Sequence, residues 1–248
     1  MEIVRSERYP QLLLGMVALA LGLVLSAIVA GAAFKSARRA NDQIEVTGSA
    51  KRSIRSDYAV WRVSVGAQSP TLQDAYAEVT QHGQALRQFL SRSGVADSLV
   101  TVKPVEASSI YRVAENGMQT SELLGYRLSQ QFEVRSSDVN GVTALSQGAT
   151  GLINQGVPLQ SSPPEYLYTK LADVRTEMLA AATEDARRRA EAVAKSAGAG
   201  IGAVRSARQG VFQITPRNST EVSDYGINDT SSLEKDITAV VRVTFAVD

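Results

Sequence analysis

The sequence predicts an α+β fold in which helices pack on a largely antiparallel or mixed sheet, preceded by one N-terminal transmembrane helix. Three observations predict it: a long uncharged run near the N terminus, several segments in which apolar and polar residues alternate, and three segments whose apolar residues recur every three or four positions. Alternation is typical of half-buried strands, and the longer spacing is typical of amphipathic helices. The predicted order β-β-α-β-β-α-α-β-β differs from the strict alternation of doubly wound parallel folds.

The composition of the 248-residue chain excludes several classes of protein. Hydrophobic residues make up 44% and charged residues 21%, which excludes a collagen-like or wholly disordered chain. The chain has 26 basic and 25 acidic residues, so its net charge of +1 gives no indication of a nucleic-acid partner. The absence of cysteine excludes thiolate chemistry and Cys-ligated metals, and a single histidine excludes a His-built metal cluster. We therefore predict a protein without cofactor or metal that is not an enzyme.

The first element is a membrane anchor at residues 12–34, which carry no charge. As a helix this run is about 34 Å long, enough for a hydrocarbon core of about 30 Å. It follows a short tail (1–11) and precedes a basic stem (35–42) and the main domain (43–248). Small residues at Ala30, Ala32 and Ala33 offer cleavage positions, so a removable signal peptide remains the alternative.

Four small residues of the anchor, Ala18, Gly22, Ser26 and Ala30, are spaced four apart and share one helix face. Such a face allows two transmembrane helices to approach closely. The alternative is a chance run in a segment rich in alanine and glycine.

The basic residues that flank the anchor could contact lipid, and they also influence the side of the membrane on which the main domain lies. Lys35, Arg38 and Arg39 could contact anionic headgroups, each contributing about 1 kcal/mol, or could belong to an ordinary hydrophilic stem. More basic residues follow the anchor than precede it, which favours a cytoplasmic domain. Long domains are translocated largely regardless of such charges, so the residues alone leave the side of the membrane open.

The strands follow from alternation at residues 44–50, 59–67, 124–134 and 237–247, with weaker segments at 99–113 and 201–214. The first strand is expected to end in a basic turn at Lys51 and Arg52. In the second strand Arg62 and Ser64 are expected to face away from the apolar side. Pro104 indicates an edge strand or a bulge, because proline cannot donate to a sheet ladder.

Capping residues predict where the first two helices begin and end. The first is predicted to begin at Ser69-Pro70 and to end at Gly94, and the second to run from about Asp138 to Gly156. The apolar face of the first is expected to comprise Leu72, Ala75, Val79, Leu86 and Phe89.

The third helix, predicted at about 170–197, has an apolar face of mostly small residues, namely Met178, Ala182, Ala186, Ala190, Val193 and Ala197. Its opposite face carries acid-first pairs four apart, Glu184–Arg188, Asp185–Arg189 and Glu191–Lys195. The Arg187–Arg189 run is therefore interpreted as a solvated face.

Several motifs together indicate a family: the IEVTGSA strand at 44–50, Asp57 before the Trp61 strand, and the closing strand at 237–243. The residues that carry the pattern are Gly48, Asp57, Gly94, Gly125, Tyr126, Asp185, Ala186 and Gly198. In their order and spacing the chain resembles the SIMPL-domain (YggE-like) family, as a bacterial membrane-anchored member, over nearly all of residues 43–248.

The resemblance implies an α+β fold, an envelope location and large ring-like or channel-like homo-oligomers. Members of the family are typically exported, which favours the periplasmic side for the domain. The long apolar segment departs from the common exported form, so we expect a single-pass protein of the bacterial inner membrane with a periplasmic domain. The resemblance also implies a loose link to oxidative and envelope stress tolerance. It brings no established catalytic residue. The partners expected are therefore further copies of the chain and the lipid bilayer, with no protein partner identified.

Other candidate sites have plain interpretations. His82 lies near the apolar face of the first helix and is expected to be packed or half-exposed. The glycine-rich run 198–202 follows a helix, so it predicts a C-cap and not a phosphate loop. Asn218 and Asn228 begin glycosylation-type triplets but are expected in a polar loop.

Three functions are compatible with the residues. The first is a membrane-anchored homo-oligomeric scaffold or channel. The second is a ligand- or partner-binding module that uses the polar 215–234 segment and the tyrosines Tyr111, Tyr126, Tyr166, Tyr168 and Tyr225. The third is an enzyme that uses carboxylates such as Asp57, Glu133 or Asp185, although nothing in the sequence pairs them. We favour the first.

Overall fold

The computed structural model describes the backbone of residues 9–39 and 42–248, and the side chains of residues 13–31 and 42–248. The helices are α1 (Tyr9–Arg39), α2 (Leu72–Arg92), α3 (Val139–Gly148) and α4 (Leu171–Ser196), with short 3₁₀ segments at Asp97–Leu99 and Ala149–Gln155. The strands are β1 (Gln43–Arg55), β2 (Tyr58–Ser69), β3 (Val100–Val113), β4 (Gln119–Ser136), β5 (Leu159–Ser161), β6 (Glu165–Leu167), β7 (Ile201–Gln209), β8 (Gln213–Pro216), β9 (Ile227–Asn228) and β10 (Glu234–Val247). The predicted α+β class is confirmed.

The strands form two sheets of five. One has the order β1-β10-β8-β9, with β7 also paired with β10, and the other has the order β3-β4-β2-β5, with β6 also paired with β2. The β8–β9 pair is parallel and the pairs of the second sheet are antiparallel. The chain divides into two compact units: Lys51–Met178 with Val211–Ala239, called the main unit, and the described residues up to Ala50 with Leu179–Gly210 and Val240–Asp248, called the terminal unit.

The core of the main unit lies between the second sheet and helices α2 and α3. Trp61, Val63 and Val65 alternate along β2 and are fully buried, as their period of two predicts. Leu86 of α2 and Phe132 of β4 pack in the same buried cluster. The helices therefore cover one face of this sheet and leave its polar positions on the other face.

The start of α2 differs from the prediction. Ser69 is the last residue of β2, paired with Tyr126, and the N-cap is Thr71, whose Oγ1 accepts a hydrogen bond from the Asp74 N–H at 3.2 Å. The residue before a proline is biased towards extended backbone, so the strand continues through Ser69. Leu72 is consequently exposed, and the buried positions of α2 that sequence reasoning missed are Gly83 and Leu90.

The end of α2 agrees with the prediction. Gly94 has a φ of +81°, and the Val95 N–H bonds to the carbonyl of Leu90, which is a left-handed C-cap.

In the terminal unit, α4 contributes a stripe of alanines, and β7 pairs antiparallel with β10 from Val241 to Val247. The alanines Ala182, Ala186, Ala190 and Ala194 are fully buried. The predicted members Val193 and Ala197 are exposed, because the buried stripe advances by four residues at each step. Gly198 has a φ of +77° and follows α4 as its C-cap, as predicted.

The observed strands differ from the predicted ones in three places, and one residue predicted within a strand has a different exposure. β1 continues through Lys51 and Arg52 to Arg55, so no turn occurs at the two basic residues. The segment predicted at 201–214 is two strands, β7 and β8, and the polar 215–234 segment contains β9. Leu124 is exposed because the β3–β4 register shifts beside it, between Ile110 and Tyr111.

β3 is the terminal strand of its sheet, and its register shifts between Val102 and Val105 around Pro104. Both features agree with the edge position and the bulge that proline predicts.

α1 contains Leu13–Gly31, a stretch that is long and apolar enough to cross a membrane by length and composition. A signal sequence near an N terminus has the same properties. The helix continues to Arg39, into the predicted stem. The rest of the predicted tail and stem, residues 1–8 and 40–41, lies outside the described residues.

Candidate functional site

The open face of the main unit's sheet is polar. β2 and β4 pair antiparallel, so their outward positions lie opposite each other: Arg62 faces Glu133, and Ser64 faces Gln131. The predicted outward orientation of Arg62 and Ser64 agrees with the polar lining that they give to this face.

Four charged side chains form an ion network on this face. Arg62 Nε donates to Glu133 Oε2 at 2.9 Å, and Arg62 Nη1 donates to Glu165 Oε1 of β6 at 2.5 Å. Arg135 Nε donates to the other oxygen of Glu133. The Glu133 side chain is only 7% exposed, whereas Arg62 is 35% exposed. A buried carboxylate thus fixes the guanidinium group of Arg62 at the surface.

The network determines the charge states of its members. Burial by itself would raise the pKa of Glu133, but hydrogen bonds from Arg135 and Arg62 outweigh it and hold that pKa below its usual value. The bonds to Glu165 and Glu133 raise the pKa of Arg62. The ion pair therefore stabilises the charged forms of both Arg62 and Glu133.

Beside this network is an open pocket of about 230 Å³. Its lining residues are Arg62, Val63, Ser64, Pro104, Glu106, Ser129, Gln131, Gln160 and Ser162. Hydroxyl and amide groups predominate, and the charge of Arg62 is already compensated by carboxylates. Such a lining suits hydrogen bonds to a small neutral polar molecule better than the binding of an anion.

A second polar cluster surrounds Asp236 at the start of β10. Its carboxylate accepts bonds from Lys51 Nζ at 2.8 Å, Ser53 Oγ at 2.7 Å and the Asn218 N–H at 3.0 Å. In that order of importance, these contacts lower the pKa of Asp236 to about 2. Asn218 adopts a left-handed φ of +64° at this contact.

The neighbouring residue Lys235 is buried, with 2% of its surface exposed. Its Nζ donates to the carbonyl oxygen of Tyr166 at 2.6 Å and to that of Asp229. Burial lowers the pKa of Lys235, and the negative charge of Asp229 partly opposes this effect. Sequence reasoning missed the paired roles of Lys235 and Asp236; the signal that could have found them is the run of three charged residues, Glu234 to Asp236, with which β10 begins.

The three acids considered for an enzyme are each engaged elsewhere. Asp57 accepts bonds from the Thr169 N–H at 2.7 Å and the Thr169 hydroxyl at 2.8 Å. Asp185 accepts the Ser49 N–H at 3.0 Å and pairs with Arg189 at 2.7 Å, and Glu133 belongs to the network above. The Ser49 N–H is the main cause of the lowered pKa of Asp185.

Among the described residues, no cluster of three or more His, Cys, Asp or Glu side chains could hold a metal ion. His82 Nδ1 donates to the carbonyl of Gly66 at 2.8 Å, which gives this histidine a structural contact. Of the predicted helix pairs, Asp185–Arg189 is present, and Arg187 pairs with Glu191 at 3.0 Å. The Arg187–Arg189 run is thus exposed and pairs with acids of its own helix.

The tyrosines of the binding hypothesis differ in exposure: Tyr111 and Tyr225 are exposed, whereas Tyr126, Tyr166 and Tyr168 are half-buried. Tyr126 and Tyr166 pack against the core cluster, and the Tyr166 hydroxyl lies 3.0 Å from Thr143 Oγ1. Tyr225 is 97% exposed, in the polar segment. Tyr111 lies on β3, where it pairs with Leu123.

A more prominent exposed apolar surface lies on β3 and β4. β2 ends opposite Tyr126, so beyond that point β3 and β4 continue as a two-stranded extension, residues 110–124, here called the β3–β4 arm. Its exposed large apolar side chains are Tyr111, Val113, Met118, Leu123 and Leu124. The sequence predicted that the strand begins at Leu124 as a half-buried strand, and so the arm before it was missed.

The small residues Ala18, Gly22, Ser26 and Ala30 all lie in the exposed part of α1, and Ser26 Oγ donates to the Leu23 carbonyl at 2.9 Å. This bond satisfies the hydroxyl within the helix and leaves the small face unpartnered in the described chain. The side chains of Lys35, Arg38 and Arg39 lie outside the described residues, so their predicted lipid contacts remain a prediction.

Two comparisons with known proteins bear on identity. The sequence model of the SIMPL family, described as a protein of unknown function (DUF541), matches residues 44–245. No curated protein matches the chain. The matched range runs from the second residue of β1 to Phe245 of β10, so it includes strands of both sheets and the residues of the polar face.

Proposed function

The chain belongs to the SIMPL family of proteins of unknown function, and from this premise we propose that it is a non-enzymatic, membrane-anchored envelope protein that assembles with copies of itself. The observation that carries the proposal is the β3–β4 arm with its exposed apolar side chains, from Tyr111 at 37% to Met118 at 67% exposure. Grouped exposed apolar residues commonly mark interaction surfaces, and an isolated two-stranded hairpin is only marginally stable in water.

The anchoring part of the proposal is supported by Leu13–Gly31, in which every side chain is exposed. A helix with exposed leucines and valines on all sides needs an apolar surrounding, which a bilayer supplies. The small face from Ala18 to Ala30 offers a second place where two copies could approach.

The non-enzymatic part is supported by the state of the candidate acids. Asp57, Glu133 and Asp185 each accept hydrogen bonds from other residues of the chain. A general acid or base needs a lone pair or proton directed at a substrate, and the hydrogen bonds of these side chains are directed at neighbouring residues instead.

For location we propose the bacterial inner membrane, with the main domain on the periplasmic side and a role in tolerance of oxidative or envelope stress. The support is the implied export of the family, and the basic residues after the anchor oppose it. Protease added to intact spheroplasts should digest the domain. Protection until the membrane is lysed would assign the domain to the cytoplasm.

Assembly is tested on the full chain extracted in detergent, by native mass spectrometry over a range of concentrations. We expect a defined multiple of the chain mass. A monomer at every concentration would contradict self-assembly.

Anchoring is tested by Leu21→Arg, in the middle of the apolar stretch, followed by alkaline extraction of membranes. A central arginine disfavours insertion by about 3 kcal/mol, so we expect a larger extractable fraction. Val222→Arg, at an exposed position of the main unit, is the matched control and should leave extraction unchanged.

A second candidate function is a partner-binding module that uses the polar 215–234 segment. The observation that favours it is the exposure of Val222 (82%) and Tyr225 (97%) between two points held by Asp236 and Lys235. Replacing residues 220–226 with a short glycine-serine loop should abolish capture of a partner in cross-linked membranes while the fold persists. Unchanged capture would reject this function.

A further inference from the structure

Among the described residues, β3 has one free edge. It is the terminal strand of the order β3-β4-β2-β5, so only one side of its backbone bonds to β4. Lys103 and Pro104, at the bulge, discourage further pairing at the start of the strand. From 105 to 113 no proline or lysine protects the edge, and this stretch of β3 has no further bulge of its own.

We propose that this edge pairs antiparallel with the same edge of a second copy. The twofold axis that relates the copies is perpendicular to the sheet and lies between the two Ser109 residues, which face each other; it is called the axis at Ser109. The inference rests on the proposed self-assembly and identifies the surface that mediates it. The pairing joins two five-stranded sheets into one and places the helix-covered face of both copies on the same side. Each protomer then covers the free backbone groups of the other.

The side chains on the helix-covered face fit this register. Across the axis, Val105 lies opposite the partner's Val113, and Ala107 lies opposite the partner's Tyr111. A large exposed ring is therefore placed over a small side chain, and two valines meet at each end. Such cross-strand apolar pairs stabilise antiparallel sheets.

The charges on the opposite face select the same register. Glu106 lies opposite the partner's Arg112, and the twofold axis generates this pair twice. Arg112 is held on the surface by Glu122 of its own arm, Nη2 to Oε1 at 2.8 Å, and is 58% exposed. Moving the axis to Ser108 or to Ile110 would place both charges opposite uncharged residues. Only the axis at Ser109 pairs them with opposite sign.

The absence of cysteine from the sequence provides a direct test. In the full chain in detergent, Ser109→Cys places one thiol opposite its own symmetry mate, where directly opposed residues of antiparallel strands have Cα atoms about 4.5–5.5 Å apart. That separation is within the range that disulfides span. We expect a covalent dimer after mild oxidation.

Ala107→Cys is the matched control. It is on the same strand and the same face, but its symmetry mate is four residues away along the pair, about 14 Å, which is beyond disulfide reach. It should not cross-link alone, and it should cross-link when mixed with Tyr111→Cys. Equal cross-linking of Ser109→Cys and Ala107→Cys, or none by Ser109→Cys, would overturn the register.

Glu106→Arg tests the charge pairing, because it places two arginines opposite each other at both symmetry-related positions. We expect self-association weakened about tenfold, measured by native mass spectrometry. Glu78→Arg, the same change on an exposed position of α2, should have no effect. If the unaltered chain is monomeric, both the proposed function and this interface fail. If it assembles but Ser109→Cys does not cross-link, only the interface fails.

Discussion

Gly48 of β1 lies directly against Ala186 of α4, so closely that a β carbon on Gly48 would be 2.7 Å from the Ala186 β carbon and 2.1 Å from the Ala182 carbonyl oxygen. The next residue, Ser49, donates its N–H to Asp185. Three of the residues that carry the family pattern, Gly48, Asp185 and Ala186, therefore meet in a single contact between a strand and a helix. Glycine and alanine allow the close approach, and the carboxylate fixes the register along it.

This contact predicts a large effect of Gly48→Ala. The atoms that a methyl group would meet belong to the backbone of α4, so strand or helix must shift, with an expected loss of about 1–3 kcal/mol. Urea unfolding of the detergent-extracted chain, followed by circular dichroism, measures it.

Gly66→Ala is the matched control, since it also alters a strand glycine but meets its nearest atom, the Leu128 carbonyl oxygen, at an ordinary 3.6 Å. An equal loss in the two variants would contradict the steric explanation.

Asp236→Asn should reveal a pH-dependent contribution to stability. Because contacts in the folded state lower the pKa of Asp236 from 3.8 to about 2, the charged form stabilises the fold above pH 4, by roughly 2 kcal/mol. This contribution is lost as the pH falls from 4 towards 2. We therefore expect the difference in the free energy of unfolding between the unaltered chain and Asp236→Asn to be largest at pH 7 and to shrink towards pH 2.

Asp224→Asn replaces an exposed acid of the polar segment and is the control. Its free energy of unfolding should not differ comparably from that of the unaltered chain at either pH. A difference for Asp236→Asn that stays constant from pH 7 to pH 2 would show that the carboxylate charge is not what stabilises the cluster.

Arg62→Met should destabilise the main unit because it removes one of the two guanidinium partners of the buried Glu133. We expect a loss of about 1–3 kcal/mol in the free energy of unfolding. In the double variant Arg62→Met/Glu133→Gln the buried charge is absent, so the combined loss should be smaller than the sum of the single losses.

Arg187→Met, which breaks an exposed pair with Glu191, serves as the control and should change stability by less than about 1 kcal/mol. Strict additivity of Arg62→Met and Glu133→Gln would indicate that the two side chains are not energetically coupled.

Lys235→Met should loosen β6 and the region around Asp229. It leaves the Tyr166 and Asp229 carbonyl oxygens without their buried donor, at an expected loss of about 1–3 kcal/mol. Hydrogen exchange should become faster in Glu165–Leu167 and at 227–230. Lys195→Met, at the exposed end of α4, should leave exchange in both segments unaltered.

Periodicity predicted most of the elements, because a strand with one buried face must alternate and a helix against a sheet must repeat every three or four residues. Trp61, Val63 and Val65 illustrate the first case, and the alanines of α4 the second. The failures occur where tertiary contacts override local signals. Ser69 remains in β2 through its pairing with Tyr126, and Lys51 extends β1 through its contact with Asp236.

The polar sites were predictable only in part. The outward orientation of Arg62 follows from alternation, but its partner Glu165 lies on β6, far along the chain, and no spacing rule connects them. Likewise, the contacts of Lys235 with the carbonyls of Tyr166 and Asp229 depend on how distant loops fold back on β10. Long-range backbone contacts of this kind leave no local signature in the sequence.

The segment between Asn218 and Asp229 is held at both ends by adjacent residues of β10, Asp236 at one end and Lys235 at the other. Its ends are thus fixed independently of what lies between them, and lengthening the tip near Tyr225 adds only the slowly growing entropy of a longer loop. The tip is consequently a tolerant place to graft a fluorophore-binding tag or an epitope, by which single copies could be followed in living cells.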